Sequence, residues 1–196
     1  MNLPGVYDIF NKSWDGYQTV WVISDLHFNE PDLRAAFPNR PTDEELVRRI
    51  NAKVGRKDVL IVLGDCGDPE YIRQLRGYKV LVAGNHEPGL TAFSEIFQEI
   101  YSGPVMLGEK LLLSHEPIPG ITWAMNLHGH NHSGRKNDTN HWNFCTDVIN
   151  YEPVNFNQWL KAGLLARIQS LHRITIDGAT ERRKKRGYKL GNKKNG

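Results

Sequence analysis

Val80-Leu81-Val82-Ala83-Gly84-Asn85-His86-Glu87 sets an apolar run directly before an amide, an imidazole and a carboxylate. An unbroken apolar run of this length, bounded by glycine, reads as a strand buried on both faces. Asn85 then offers a carbonyl oxygen to a metal ion, and His86 an adjacent proton donor. The same event recurs along the chain. Val20-Trp21-Val22-Ile23 runs into Ser24-Asp25-Leu26-His27, and Val59-Leu60-Ile61-Val62-Leu63 runs into Gly64-Asp65. Leu111-Leu112-Leu113 precedes Ser114-His115, and Trp123-Ala124-Met125-Asn126-Leu127 precedes His128-Gly129-His130-Asn131-His132. In an open α/β sheet, ligands bind at the carboxyl ends of the strands. The polar ends of these runs are therefore expected to converge on one catalytic site.

Between the runs, the pattern is helical in places. Thr42 with Glu45 forms a capping box that opens a helix to about Val54, with Leu46, Val47 and Ile50 as its apolar stripe. A short helix is expected over Pro69–Leu75, another over Thr91–Ile100, and helical spacing again over Asn155–Ser170. Residues 1–16 and the proline-rich stretch Phe28–Pro41 read as irregular, and Trp142–Val148 as a strand leaving the site. Strands alternating with helices, then mostly strands, point to α/β or mixed α+β architecture.

Bulk composition narrows the class. A chain of 196 residues with 39% hydrophobic and 24% charged residues is ordinary for a globular protein with a real core. No apolar run approaches the roughly 20 residues that span a bilayer. Met1–Trp14 lacks the apolar centre of a signal peptide, and two cysteines, Cys66 and Cys145, make no disulfide framework. A cytoplasmic location is the resulting expectation, with both cysteines as small buried thiols rather than metal ligands. Charge is unevenly placed. Residues 181–196 hold eight basic residues and one acid, contributing +7 to a net +3 and leaving residues 1–180 at −4. We read 1–180 as a single domain and 181–196 as a basic tail. Such an arm either neutralises nucleic-acid phosphates or simply stays solvated.

The polar ends carry the chemistry. Asp25 and His27 sit at i and i+2, on one side of an extended segment. Asp65 adds a carboxylate, Asn85 a carbonyl, and His115, His130 and His132 add imidazoles. A mixed oxygen and nitrogen set of this size exceeds the needs of one tetrahedral zinc. It fits two divalent ions about 3.5–4 Å apart with a carboxylate between them. Borderline donors favour Mn²⁺, with Ni²⁺, Co²⁺, Fe or Zn²⁺ as alternatives.

Taken in order, Asp25-Leu26-His27, Gly64-Asp65, Gly84-Asn85-His86-Glu87, His115 and Gly129-His130-Asn131-His132 resemble the signature of the calcineurin-like metallophosphoesterases. The resemblance covers about residues 17–150. Asn39-Arg40-Pro41 and Asn126-Leu127-His128 look like the small phage and bacterial branch, whereas Ser24 replaces the commoner glycine. The resemblance implies a four-layer αββα sandwich of two mixed β-sheets flanked by helices. It implies that Asp25, His27 and His132 hold one metal, Asn85, His115 and His130 the other, and that Asp65 bridges them. His86 is implied as the catalytic group that contacts the phosphate and protonates the leaving group, after attack by metal-activated hydroxide. Glu87 and Asp147 are expected to orient imidazoles, His128 to be structural, and Arg40 and Arg135 to be solvated rather than on the phosphate. The implied activity is phosphodiester hydrolysis, of nucleotides above all. Phosphomonoesters remain open, as does a non-catalytic scaffold on the same fold. An HNH-type nuclease is suggested by His130-Asn131-His132 but would place its histidines on a hairpin and helix rather than within three residues.

Overall fold

The computed structural model describes residues 19–87, 89–107, 109–134, 137–169, 178–182 and 184–185. The irregular stretch expected over residues 1–16, Arg135 and most of the basic arm lie outside them.

Two mixed sheets face each other. The first has the order β4-β3-β2-β1-β9 and contains β1 (Val20–Ile23), β2 (Val59–Val62), β3 (Tyr78–Val82), β4 (Glu99–Tyr101) and β9 (Val154–Asn155). Strands β1 to β4 are parallel, and β9 joins β1 antiparallel. The second sheet runs β5-β6-β7-β8, built from Val105–Leu107, Leu111–Leu113, Met125–His128 and His141–Asn143. Its strands β6, β7 and β8 are parallel, with β5 antiparallel at the edge. Flanking helices complete the α/β fold expected from the sequence.

Side-chain alternation explains the layers. Val20, Val22, Val59, Ile61, Leu63, Val80 and Val82 face the second sheet and meet Leu111, Leu113, Met125, Leu127 and Phe144. Ile23, Leu60, Val62 and Leu81 point the other way, onto helix residues Leu46, Val47, Ile50 and Ile72. Both faces of β1 to β3 are thus covered, which is why these strands read as continuous apolar runs. The outer face of the second sheet is covered by Ile121 and Ala124 against Leu112, with Ile118 and Trp123 alongside.

The helices include α1 (Pro31–Ala36), α2 (Asp43–Lys53), α3 (Pro69–Arg73) and α4 (Phe156–Lys161), with a further helical segment at 178–182. The Thr42 hydroxyl accepts the Glu45 backbone N–H at 3.3 Å, so the expected cap opens α2. Helix α1 lies inside the stretch expected to be irregular; Pro31 stands at its first turn, where its missing N–H costs nothing. The helix expected over Thr91–Ile100 is instead a 3₁₀ turn at Leu90–Phe93 followed by β4. Ile100 pairs with Leu81 and Tyr101 with Val82, so the sheet edge takes residues that local spacing assigned to a helix. The helix expected over Asn155–Ser170 stops at Lys161, and the strand expected over Trp142–Val148 is confined to β8.

Ile61 is fully buried between the two sheets at the centre of β2. Ile61→Ala should destabilise the protein by about 2–5 kcal/mol through lost burial and the cavity left behind. The shift in a urea or guanidinium midpoint at constant m-value measures it.

Candidate metal centre

Parallel strands end side by side, and the segments leaving β1, β2, β3, β6 and β7 meet at one rim. Asp25 N–H donates to Gly64 O at 3.1 Å and His27 N–H to Asp65 O at 2.9 Å, which fastens the first two loops together. Several of these residues adopt left-handed backbone: Asp25 at φ 57°, His27 at 44°, Asp65 at 52° and His130 at 67°. This conformation turns the chain sharply enough to aim side chain and backbone N–H into one space. Two glycines allow the approach. A Cβ on Gly84 would collide with the Asp65 carboxylate, and one on Gly129 with Ser24 Oγ and Asp25 Oδ2.

Both carboxylates are buried and hydrogen-bonded. Asp25 accepts the His130 backbone N–H on its two oxygens, at 3.0 and 2.9 Å. Asp65 Oδ1 accepts the His86 N–H at 2.9 Å, and its Oδ2 lies 3.1 Å from His115 Nε2. Three imidazoles are anchored by the same nitrogen. Nδ1 of His27 donates to Glu30 Oε2 at 2.8 Å, that of His115 to Leu63 O at 2.8 Å, and that of His132 to Asp147 Oδ2 at 2.7 Å. Each ring therefore turns Nε2 inward, toward Asp25 or Asp65. His27 Nε2 lies 3.5 Å from Asp65 Oδ2, and His132 Nε2 lies 3.5 Å from Asp25 Oδ1. His130 Nδ1 is 3.2 Å from both Asn85 Oδ1 and His115 Nε2. The exposed His86 ring stands 5.6 Å from that of His27, edge to face. All eight residues singled out in the sequence lie within this one cluster.

The donor set fits divalent cations. His27 Nε2 is buried without a hydrogen-bond partner among the described residues, and it faces two carboxylates. A lone pair aimed at negative oxygens is repulsive until a cation lies between them. Burial lowers the His27 pKa against the pull of Glu30, Asp65 and Asp25, which keeps that lone pair available. At the Asp65–His115 contact, burial opposes both charged forms. Their mutual hydrogen bond nevertheless raises the His115 pKa and lowers that of Asp65. Positive charge is favoured at this spot. Three groups have ligand atoms within 4.8 Å of one another: Asp25, His27 and Asp65; Asp65, His115 and His130; and Asp25, His132 and Cys145. Asp65 and Asp25 each belong to two of them. Cys145 and Cys66 are buried free thiols whose pKa values burial pushes up.

The supporting contacts depart from the sequence reading in two places. Asp147 orients an imidazole as expected, but Glu87 does not. Its carboxylate accepts the backbone N–H of Gly84 at 2.6 Å and of Cys66 at 3.4 Å, clamping the second loop to the third. Arg40, expected to be solvated, is buried. Its Nη2 donates to the carbonyls of Asp25, at 2.8 Å, and Leu26, while Nη1 donates to Asp147 Oδ2 at 2.6 Å and Thr146 Oγ1 at 3.1 Å. One guanidinium thus holds the left-handed first loop and, through Asp147, the ring of His132. The only signal in the sequence was a lone arginine before proline. Ser24, at the position of the commoner glycine, donates its hydroxyl to Leu63 O at 2.6 Å, the carbonyl that also anchors His115.

A model of the calcineurin-like phosphoesterases matches residues 18–190, and the chain belongs to that family. The family's chemistry is metal-dependent hydrolysis of phosphoester bonds. Among solved structures, the chain is similar to AQ665 from Aquifex aeolicus, a protein of unknown function. That crystal structure aligns with a TM-score of 0.63 over 74% of this chain and 99% of its own length. At 23% identity the likeness is one of fold. No curated protein matches the chain.

Arg40→Met removes one member of a buried ion pair and leaves the Asp25 and Leu26 carbonyls and Asp147 short of a donor. It should cost about 3–5 kcal/mol of stability. Arg40→Lys should recover only part of the loss, because one ammonium cannot span carbonyls and carboxylate together. Chemical denaturation of the three proteins side by side measures both effects.

Proposed function

We propose that the chain is a dinuclear-metal-dependent phosphodiesterase acting on nucleotide diesters. The observation that carries this reading is the overlap of the groups built on Asp25 and Asp65, in which Asp65 is common to the group holding His27 and the group holding His115 and His130. Asp25, His27 and His132 would hold one ion, Asn85, His115 and His130 the other, with Asp65 between them. A divalent pair here, Mn²⁺ by preference, would supply Lewis acidity, lowering the pKa of water toward neutrality and offsetting phosphoryl charge.

The chain's own residues do the rest. Nδ1 anchoring fixes the rings of His27, His115 and His132 so that Nε2 points inward before any ligand arrives, which is how neighbouring acceptors tune metal sites. His86 is exposed at the mouth, beside His27, where it can reach a bound ester. An imidazole at that place can deliver a proton to a departing alkoxide. A diester carries organic groups on both sides of phosphorus, and clefts of about 460 and 370 Å³ border the segments that carry His130, His115 and Asn85. A phosphomonoesterase would show the same metal dependence but prefer p-nitrophenyl phosphate over its bis ester; a scaffold would turn over neither.

Turnover should vanish after chelation and return with Mn²⁺. Full activity in a sample shown to be metal-free by elemental analysis would refute the reading. Asp65→Asn should lower bound metal and rate more than Asp25→Asn, because it weakens both positions at once. Two retained metals with near-normal turnover in Asp65→Asn would remove the bridging role.

His86→Ala should lower kcat by roughly 10²–10⁴ on diesters with strongly basic leaving groups, the usual worth of general acid catalysis. Nitrophenyl esters, whose leaving group needs little protonation, should suffer less. A series graded by leaving-group pKa checks this: equal losses across it would leave His86 as a phosphate-positioning group only.

A further inference from the structure

Beside the metal centre lies a second cavity of about 460 Å³, between the Pro117–Pro119 loop and the start of β8. That volume falls within the range of small-molecule sites. Pro117 and Pro119 form apolar walls, and His128, Asn131 and Asn137 bring polar groups to it. Its lining residue Asn131 stands between His130 and His132 in the chain, and His128 two residues before His130, so the cavity is built on the segment that carries two of the proposed ligands.

The cavity is built in advance of any ligand. His141 ties its two sides together, its Nε2 lying 2.9 Å from Ile118 O and its Nδ1 3.0 Å from Asp138 Oδ1. Buried Asn126 accepts the Ile118 N–H at 2.9 Å, so the loop is held at this residue from both sides. The Asn143 side chain donates to Asn131 O at 2.7 Å and fixes the floor. His128 Nδ1 donates to Gly129 O at 2.8 Å, which leaves Nε2 as the ring's acceptor. The same loop also borders a cleft of about 370 Å³ on its other side, lined by Gly84, Asn85, Ser102 and His115. The two spaces flank the loop next to the metal centre, as the two organic groups of a diester would require.

We propose that the cavity lined by Pro117, Pro119, His128, Asn131 and Asn137 binds the nucleoside of a nucleotide diester. This inference rests on the phosphodiesterase reading above. Proline rings on one side and an imidazole on the other suit a flat, neutral group. Asparagine amides both donate and accept, matching the paired donors and acceptors on a base edge. The Asp138 carboxylate in the wall disfavours a phosphate there and favours an uncharged nucleoside. The other cleft, whose lining mixes small residues such as Gly84 and Ser102 with His115 and Glu116, is left for the second ester group.

Isothermal titration of the full-length, Mn²⁺-loaded protein with 5′-AMP, ribose 5-phosphate and inorganic phosphate tests this. AMP should bind about tenfold or more tightly than ribose 5-phosphate, the difference being the base contacts. Asn137→Ala, at an exposed position, should cost AMP roughly 3- to 10-fold while shifting inorganic phosphate far less. His128→Asn keeps a donor for Gly129 O, removes Nε2, and should act in the same direction. Equal affinity for AMP and ribose 5-phosphate would overturn the assignment, as would an AMP preference untouched by both variants. Turnover of bis-p-nitrophenyl phosphate by the same samples reports separately on the diesterase reading. Its absence beside an intact AMP preference would sink that reading and leave the cavity as a nucleoside site.

Discussion

Two carboxylates buried in the same pocket are the constraint on which this structure depends. Asp25 is fully buried and Asp65 nearly so, and removing each from water costs several kcal/mol unless partners replace the lost solvation. The partners are local and specific. Backbone N–H groups of His130 and His86 aim at the carboxylate oxygens, and inward-facing imidazole nitrogens surround them. The arrangement is a cation site by its electrostatics: negative oxygens and nitrogen lone pairs converge, and only positive charge relieves them.

Holding that arrangement requires a strained rim. Left-handed backbone at Asp25, His27, Asp65 and His130 is sparsely populated for residues with a Cβ and costs of order 1–3 kcal/mol at each. Such strain persists only where the surroundings over-determine it. Arg40 and Thr146 hold the first loop, with the Thr146 hydroxyl donating to Asp25 O at 2.7 Å, and Glu87 holds the second against the third. These clamps touch backbone rather than solvent, which makes the site rigid before a ligand enters. Preorganisation of this kind is where catalytic sites derive much of their effect.

The second sheet contributes more than ligands. Its first loop brings in His115, and the chain beyond it is tethered by His141 and Asn126 into a fixed wall beside the centre. The carboxylates and imidazoles of the centre meet at the rim, while the walls flanking the Pro117–Pro119 loop carry Asn131, Asn137 and Asp138 on one side and Asn85, Ser102 and Glu116 on the other.

Much of this was legible in the primary structure, for definite reasons. Strands β1, β2, β3 and β7 are buried on both faces, so their apolar runs stand out, and the residue types that end them are uncommon together. The edge strands β4 and β5 are only three residues long and partly exposed, and Glu99-Ile100-Tyr101 carries no pattern that distinguishes strand from helix. Arg40 and Thr146 were illegible as supports because they act on backbone or on partners remote in sequence, and Glu87 was expected to orient an imidazole whereas it accepts backbone N–H groups. The sequence by itself determined the strand frame and the residues that meet at its rim, because burial periodicity and ligand chemistry are local properties. Only the tertiary structure decided that Arg40 is buried against Asp147, that Glu87 clamps backbone, and that a walled cavity stands beside His130. Those depend on which carbonyls and carboxylates lie within hydrogen-bond reach, a distance that exists only once the two sheets have packed.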